Sequence, residues 1–136
     1  MAYEIAYHYR FDYDLDDVGI ALPVILSANA RAETVIACVD CGSTLCVFQR
    51  EIAERLALRI EDGIEDHVNA MGTIIKVYGH EVTLTLGDIA LDLFVYFPAY
   101  QWIARNLLGR QGFLRRLRFG LDDYEGFAYL SHYDDP

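Results

Sequence analysis

Hydrophobic and polar residues alternate with period two along much of this chain, as they do in strands that bury one face. The alternation is clear over residues 3–13, where an aromatic or aliphatic side chain stands at every odd position. It returns over residues 82–86 and 89–97, and a last apolar stretch covers residues 127–133. Each of these segments is predicted to form a strand.

Two further segments predict a pair of strands joined by a tight turn. Residues 20–26 are apolar and mostly branched, and Pro23 places this strand at an edge or a bulge because proline cannot donate to a sheet ladder. A polar turn with Asn29 at its centre follows. Residues 34–39 form a continuous apolar run, which predicts a strand buried on both faces.

Helical spacing occurs in two short segments. Residues 49–58 carry apolar side chains on one face and charged ones on the other, and residues 110–119 show a similar spacing. Turns are predicted at residues 70–72, 78–80 and 87–88, where glycine punctuates the alternation. Many short strands with two short helices define an all-β class, and the expected architecture is a small closed barrel.

Composition is that of a folded domain and narrows the range of partners. The 136 residues are 54% hydrophobic and 13% aromatic, which argues against disorder, and without an internal repeat or a linker residues 1–136 are expected to form one domain. A net charge of −10 disfavours nucleic acid and anionic membrane surfaces as partners.

The chain shows no targeting or disulfide pattern. No apolar run approaches the roughly 20 residues of a membrane-spanning helix. The first residues lack the basic start and apolar stretch of a secretory signal. The three cysteines are an odd number and do not suggest a disulfide framework. A cytoplasmic location is the resulting expectation.

The main chemical signal is an aspartate at the end of the apolar run, in residues 39–44, which read Val-Asp-Cys-Gly-Ser-Thr. Burying a carboxylate is costly unless it is paired or hydrogen-bonded. Gly42 lets the chain turn sharply after the strand, and the hydroxyls of Ser43 and Thr44 can satisfy the carboxylate or the loop backbone. The pattern therefore predicts that Asp40 is held on a rigid support at the mouth of a β core.

This segment resembles the catalytic loop of the retropepsin-like aspartic proteases, which comprise the single-domain retroviral proteases and their cellular and bacterial relatives. In that family an apolar strand leads into Asp-Thr/Ser-Gly-Ala/Ser, and an apolar-apolar-Gly segment follows later in the chain. Here Asp40 lies in the first pattern, and the second is similar to Leu107-Leu108-Gly109-Arg110, in which Gly109 comes 69 positions after Asp40. The resemblance spans about residues 21–130 and implies peptide-bond hydrolysis through Asp40.

The resemblance also implies a homodimer. Aspartic protease chemistry needs two carboxylates about 3 Å apart that share a proton, and the chain carries one Asp-x-Gly-Ser/Thr sequence. The second aspartate would come from another copy across a two-fold axis. The substrate would be an extended peptide or protein, with no metal or other cofactor. Residues 67–86 would supply a flap hairpin, with Ala70, Met71, Gly72 and Thr73 at or near its tip.

Cys41 departs from the family pattern, which has Thr or Ser directly after the aspartate. In the family that hydroxyl braces the two loops across the dimer, whereas a thiol is a weak donor and acceptor. The loss would weaken the brace by about 1 kcal/mol per bond. Two functions therefore stay open: an aspartic endopeptidase, and a catalytically weak or inactive dimerisation or peptide-binding module with the same fold.

Other chemistry for these residues has less in its favour. Asp40 alone could be a turn carboxylate that caps a loop. A zinc site at Cys38, Cys41 and Cys46 has no evident fourth ligand, and a nucleophilic Cys41 would need one of the four scattered histidines beside it. In the family an arginine at the position of Arg110 often pairs with an acidic group near the active loop, but no Asp lies just beyond Ser43.

Overall fold

The computed structural model describes residues 1–100 and 103–135, and strands dominate this part of the chain. It contains nine strands, one α-helix and two 3-10 turns. The elements in chain order are β1 (Tyr9–Asp12), β2 (Ile20–Ala28), β3 (Arg31–Val39), α1 (Arg50–Arg55), a 3-10 turn (Ile60–Asp62), β4 (Ile64–Ala70), β5 (Thr73–Leu86), β6 (Ile89–Pro98), β7 (Asn106–Leu108), a second 3-10 turn (Leu114–Arg116), β8 (Leu117–Asp122) and β9 (Phe127–His132). The prediction of an all-β class is confirmed.

The strands form two sheets that are not closed into a barrel, so this detail of the prediction is wrong. One sheet has the order β1-β9-β8, and the other has the order β4-β5-β2-β3-β7 with β6 paired to β5. The larger sheet stays open because its outer strands, β4 and β7, have no pairing with each other. Within it β3 and β7 run parallel, while its other strand pairs are antiparallel.

The N-terminal alternation predicts a longer strand than the chain forms. β1 begins at Tyr9, whereas Tyr3 and Ile5 are 82% and 64% exposed. Pairing with β9 reaches only from Tyr9 to Asp12. At the next position the N–H of His8 donates to the side-chain Oγ of Ser131 at 2.7 Å, so a side chain replaces the backbone partner and the ladder stops.

The two predicted helices are shortened or replaced. α1 covers Arg50–Arg55 and ends where Ala57 takes a positive φ of 57°. Residues 110–119 form a 3-10 turn and the start of β8 instead of a helix. Gly112, with a φ of 93°, interrupts helical geometry, and Leu117 and Phe119 pair with β9. None of the helices in residues 1–100 and 103–135 is long and apolar enough to cross a membrane.

β3 is not buried on both faces as its apolar run predicts. Ala37 is fully buried, but Ile36 is 58% exposed and Thr34 is exposed as well. One face of β3 packs on the core while the other faces outward. Pro23 of β2 lies opposite Ile36 and outside the three-residue stretch where β2 pairs with β5, so no ladder hydrogen bond from Pro23 to β5 is needed.

Two of the three predicted turns in the middle of the chain are confirmed. The chain turns at Met71-Gly72 and at Gly87-Asp88. It does not turn at residues 78–80, because β5 runs straight through them. Gly79 has a different reason to be glycine: a Cβ there would lie 2.6 Å from the ring of Tyr96, which occupies that space.

The long strand β5 contributes to two hydrophobic clusters on opposite faces of its sheet. Its buried side chains are Val82, Leu84 and Leu86 in the large core, and Ile75 and Val77 in a smaller one. The smaller cluster also contains Leu45 and Val47, which follow the Asp40 loop, with Val68 of β4 packed against it. The β4–β5 hairpin is therefore packed against the segment that follows Asp40.

Asn106 is a buried polar residue that joins three elements. It is 7% exposed at the start of β7. Its Nδ2 donates to the carbonyl of Ile36 in β3 at 2.9 Å, and its Oδ1 accepts from the N–H of Gln49, just before α1, at 2.8 Å. Both ends of the amide are satisfied, so Asn106 fixes β7 against β3 and α1.

We expect Asn106→Leu to lower the free energy of unfolding by about 2 kcal/mol, because leucine has a similar shape but leaves the Ile36 carbonyl and the Gln49 N–H without their partner. Urea denaturation measures the effect. Asn69→Leu, at an exposed position of β4, is the matched control and should change stability by no more than about 0.5 kcal/mol. Equal effects of the two substitutions would contradict a bracing role for Asn106.

Candidate active site

Asp40 lies directly after β3 and continues the pairing of β3 with β7. Val39 is the last paired residue of β3, opposite Leu108. The N–H of Asp40 then donates to the carbonyl of Leu108 at 3.0 Å. The side chain is half-exposed, so the aspartate combines a backbone fixed to a buried strand with a carboxylate open to solvent.

The carboxylate of Asp40 is oriented by its own loop. Its Oδ1 accepts the N–H of Gly42 at 2.9 Å, and its backbone carbonyl accepts the N–H of Ser43 at 3.1 Å. Within the described residues, Oδ2 accepts no hydrogen bond. One carboxylate oxygen is therefore held in place, and the other is free to meet a water, a proton or a second carboxylate.

The segment after β7 closes against the Asp40 loop through backbone contacts. The N–H groups of Arg110 and Gln111 donate to the carbonyls of Ser43 and Thr44 at 2.9 and 2.8 Å. A Cβ on Gly109 would lie 2.2 Å from the carbonyl oxygen of Leu45. Only glycine allows this approach. The backbone of the Leu107–Arg110 segment therefore packs directly on the backbone of the Asp40 loop and braces it.

The hydroxyl and thiol side chains of the loop act separately from the carboxylate. The Oγ of Ser43 donates to the carbonyl of Leu45 at 2.7 Å, so this hydroxyl serves the loop backbone and not the carboxylate. Cys41, Gly42 and Thr44 are exposed. The Cys41 thiol makes no hydrogen bond to a histidine in the described part of the chain, so no Cys–His pair is assembled there.

The β4–β5 hairpin faces the Asp40 loop across a cavity of about 370 Å³. Its turn consists of Met71 and Gly72, with φ of 50° and 82°, which is the geometry of a two-residue hairpin loop. The residues at the tip, Ala70, Met71, Gly72 and Thr73, are exposed and do not line this cavity. The lining residues are Gly42, Ser43, Thr44, Leu45, Asp66, His67, Val68, Asn69 and Gln111.

Burial shifts two titratable groups near the cavity. It raises the pKa of Tyr96, and the negative charge of Asp66 adds to that increase. It also raises the pKa of Cys46 to about 11, so this thiol is protonated at neutral pH and is a poor nucleophile. Residues 1–100 and 103–135 contain no group of three or more His, Cys, Asp or Glu side chains placed to hold a metal ion.

Sequence reasoning missed two residues that shape the site. Gln111 lines the cavity, and its backbone carbonyl lies 3.5 Å from the Cys46 sulfur. Asn106 fixes β7 against β3 and the residue before α1. The only sequence feature that points to it is that a polar residue directly precedes the apolar pair Leu107-Leu108. The guanidinium of Arg110 forms no ion pair with any described residue; its backbone N–H makes the contact to the Asp40 loop instead.

A solved structure of a known protein has the same fold. The crystal structure of a retropepsin-like aspartic protease from Rickettsia conorii matches with a TM-score of 0.66 and 14% sequence identity, over 96% of this chain and 97% of that chain. No protein-family model and no curated protein matches the sequence. At this identity the likeness concerns the fold alone, and it confirms the prediction of an all-β, retropepsin-like fold.

We expect Gly109→Ala to destabilise the protein by about 3 kcal/mol or more, because its methyl group would overlap the Leu45 carbonyl and the packed backbone has no room to move. Thermal or urea unfolding measures it. The control is Gly72→Ala, where nothing lies within 4 Å of a Cβ but φ is 82°, so only backbone strain of about 1 kcal/mol is added. A tolerated Gly109→Ala would show that the two segments are not in contact.

Proposed function

We propose that this protein is an aspartic endopeptidase that acts as a homodimer, with one Asp40 from each copy at the two-fold axis. The observation that carries the proposal is the state of the Asp40 carboxylate: Oδ1 is held by the Gly42 N–H, Oδ2 is open, and the loop is locked by the Gly109 segment. The same fold in a retropepsin-like aspartic protease supports it. Residues 1–136 would then form one domain that supplies half of the site.

The chemistry explains why one copy is insufficient. Two carboxylates that share a site hold one proton between them, because two negative charges about 3 Å apart are unfavourable. The ionised Asp40 takes a proton from a water molecule while the oxygen of that water attacks the peptide carbonyl carbon. The protonated Asp40 of the other copy gives its proton to the carbonyl oxygen. The first Asp40 then gives the proton that it took from water to the amide nitrogen, the second Asp40 takes back a proton from a hydroxyl of the tetrahedral carbon, and the carbon–nitrogen bond breaks to leave an acid and an amine.

The cavity between the Asp40 loop and β4 is the proposed substrate cleft. An extended peptide has a row of backbone donors and acceptors that can pair with a strand edge. β4 is the outer strand of its sheet and lines the cavity with Asp66, His67, Val68 and Asn69. The hairpin tip at Met71-Gly72 would close over the peptide, as a flap does, once a second copy completes the cleft.

A non-catalytic role for the same fold remains the second candidate because of Cys41. The thiol is exposed at the position where a hydroxyl would brace the dimer. A weaker brace lowers the stability of the assembled site, and with it the activity. A dimeric or peptide-binding protein without cleavage is the alternative that the following experiments distinguish.

We expect Asp40→Asn to lower peptide cleavage at mildly acidic pH by about 10³-fold or more, since an amide can neither take nor share the proton. Mass spectrometry of a peptide mixture after incubation measures cleavage. Asp88→Asn makes the same change of charge at the β5–β6 turn, at the opposite end of β5 from the hairpin tip, and should leave cleavage unchanged. If the wild type cuts no peptide, or if Asp40→Asn retains its activity, the endopeptidase proposal fails.

Subunit mixing tests whether two copies form one site. When wild-type and Asp40→Asn chains are mixed in equal amounts and exchange freely, we expect activity to fall to about a quarter of that of wild type at the same total concentration, because only wild-type pairs carry two aspartates. The measurement is cleavage rate against mixing ratio. A linear decline, with half of the activity at an equal ratio, would indicate that each copy works alone.

A further inference from the structure

A second cavity adjoins the proposed cleft. It has a volume of about 420 Å³ and shares Leu45 and Gln111 with the cavity beside the Asp40 loop. The two cavities therefore meet at these residues, and a side chain of a peptide bound in the proposed cleft would enter the second cavity there. The lining residues are Leu45, Glu81, Asp92, Leu93, Phe94, Tyr96, Gln111, Gly112 and Arg116.

Two aromatic rings form one wall of this second cavity. Phe94 and Tyr96 are two positions apart on β6, so their side chains leave the same face of the strand. Their ring centres are 6.5 Å apart, and Phe94 is 39% exposed. The Tyr96 ring fills the space over Gly79, where any side chain would collide with it. The absence of a side chain at Gly79 thus makes room for this ring.

Two carboxylates lie beside the rings, and within the described part of the chain neither has a cationic partner. Glu81 lies directly opposite Phe94 in the β5–β6 ladder, and Asp92 lies opposite Thr83. The Oγ1 of Thr83 donates to Oδ1 of Asp92 at 2.7 Å. Neither carboxylate forms a salt bridge in the described residues. The nearby Arg116 donates from Nη1 to the backbone carbonyl of Asp92 at 2.8 Å, which leaves both carboxylates available.

We propose that this cavity is a specificity subsite for a lysine or arginine side chain of the peptide substrate. The inference rests on the proposed endopeptidase function and adds to it the class of peptide that is cut. A cation gains from the face of an aromatic ring and from carboxylates at once. The two carboxylates outnumber the guanidinium of Arg116, and the net charge of −10 attracts basic peptides over a longer range.

The test uses a set of peptides that share one apolar background and carry a single lysine at successive positions, with methionine at the same position as the uncharged match. We expect wild type to prefer lysine at one position by about 10-fold in kcat/KM, the size of a few exposed charge contacts. The double variant Glu81→Gln, Asp92→Asn should lose the preference, because KM for the lysine peptide rises to the KM of its methionine match. Asp88→Asn is the control and should keep the preference.

A binding measurement separates this inference from the proposed catalysis. Titration calorimetry of the Asp40→Asn protein with the same peptides should show that the lysine peptide binds more tightly than its methionine match. The two subsite substitutions should abolish this difference in affinity. A concentration of 1 M salt should reduce it, since salt screens exposed charges. If the lysine peptide binds more tightly in this way but wild type cleaves no peptide, the subsite is supported and the endopeptidase proposal fails. Cleavage or binding with no preference for lysine, or a preference that survives in the double variant, would overturn the subsite.

Discussion

The contact between the backbone of Gly109 and the backbone of Ser43 and Leu45 is the constraint on which the site depends. A missing side chain at one position lets two chain segments far apart in sequence approach within hydrogen-bonding distance, so the N–H groups after Gly109 reach the carbonyls of the Asp40 loop. β7 is only three residues long and would be a weak strand alone. Its parallel pairing with β3 and the amide of Asn106 hold it where the loop needs it.

The second structural requirement is that the β4–β5 hairpin keeps a fixed position relative to the Asp40 loop, and β5 provides it. This strand pairs with β4 and β6 near the hairpin and with β2 and β6 further on, so one 14-residue element spans both hydrophobic clusters. Leu45 and Val47 pack into the smaller cluster directly after the loop. The cavity between loop and hairpin is therefore supported by hydrophobic packing at its base, while the tip at Met71 is fully exposed.

Local chemistry makes part of the fold and of the candidate site predictable from sequence, and tertiary contacts decide the remaining elements. The Asp40 loop, the Gly109 segment and the Met71-Gly72 turn each carry residues whose backbone or hydrogen-bonding needs are local, so the local pattern predicts that the chain leaves a strand or turns at these points, as it does. The segment 110–119 has helical spacing, but pairing of Leu117 and Phe119 with a distant strand makes it β8. Gly79 suggests a turn by composition, although its small size serves the Tyr96 ring, a partner that no local pattern reveals. The exposure of Ile36 likewise depends on which neighbours cover β3.

The hydrogen bonds around Asp40 distinguish two effects that Cys41 could have, one on the geometry of the carboxylate and one on the contact between copies in the proposed dimer. The loop is closed by the N–H groups of Asp40, Ser43, Arg110 and Gln111, which all donate to backbone carbonyls. None of these bonds involves the side chain at position 41, so a thiol in place of a hydroxyl leaves the geometry of the carboxylate intact. What it weakens in the proposed dimer is the contact between copies, by about 1 kcal/mol for each hydroxyl bond replaced. In the proposed dimer the cost of Cys41 would therefore fall on the association of the two copies, because the hydrogen bonds that orient the Asp40 carboxylate within each copy do not use the side chain at position 41.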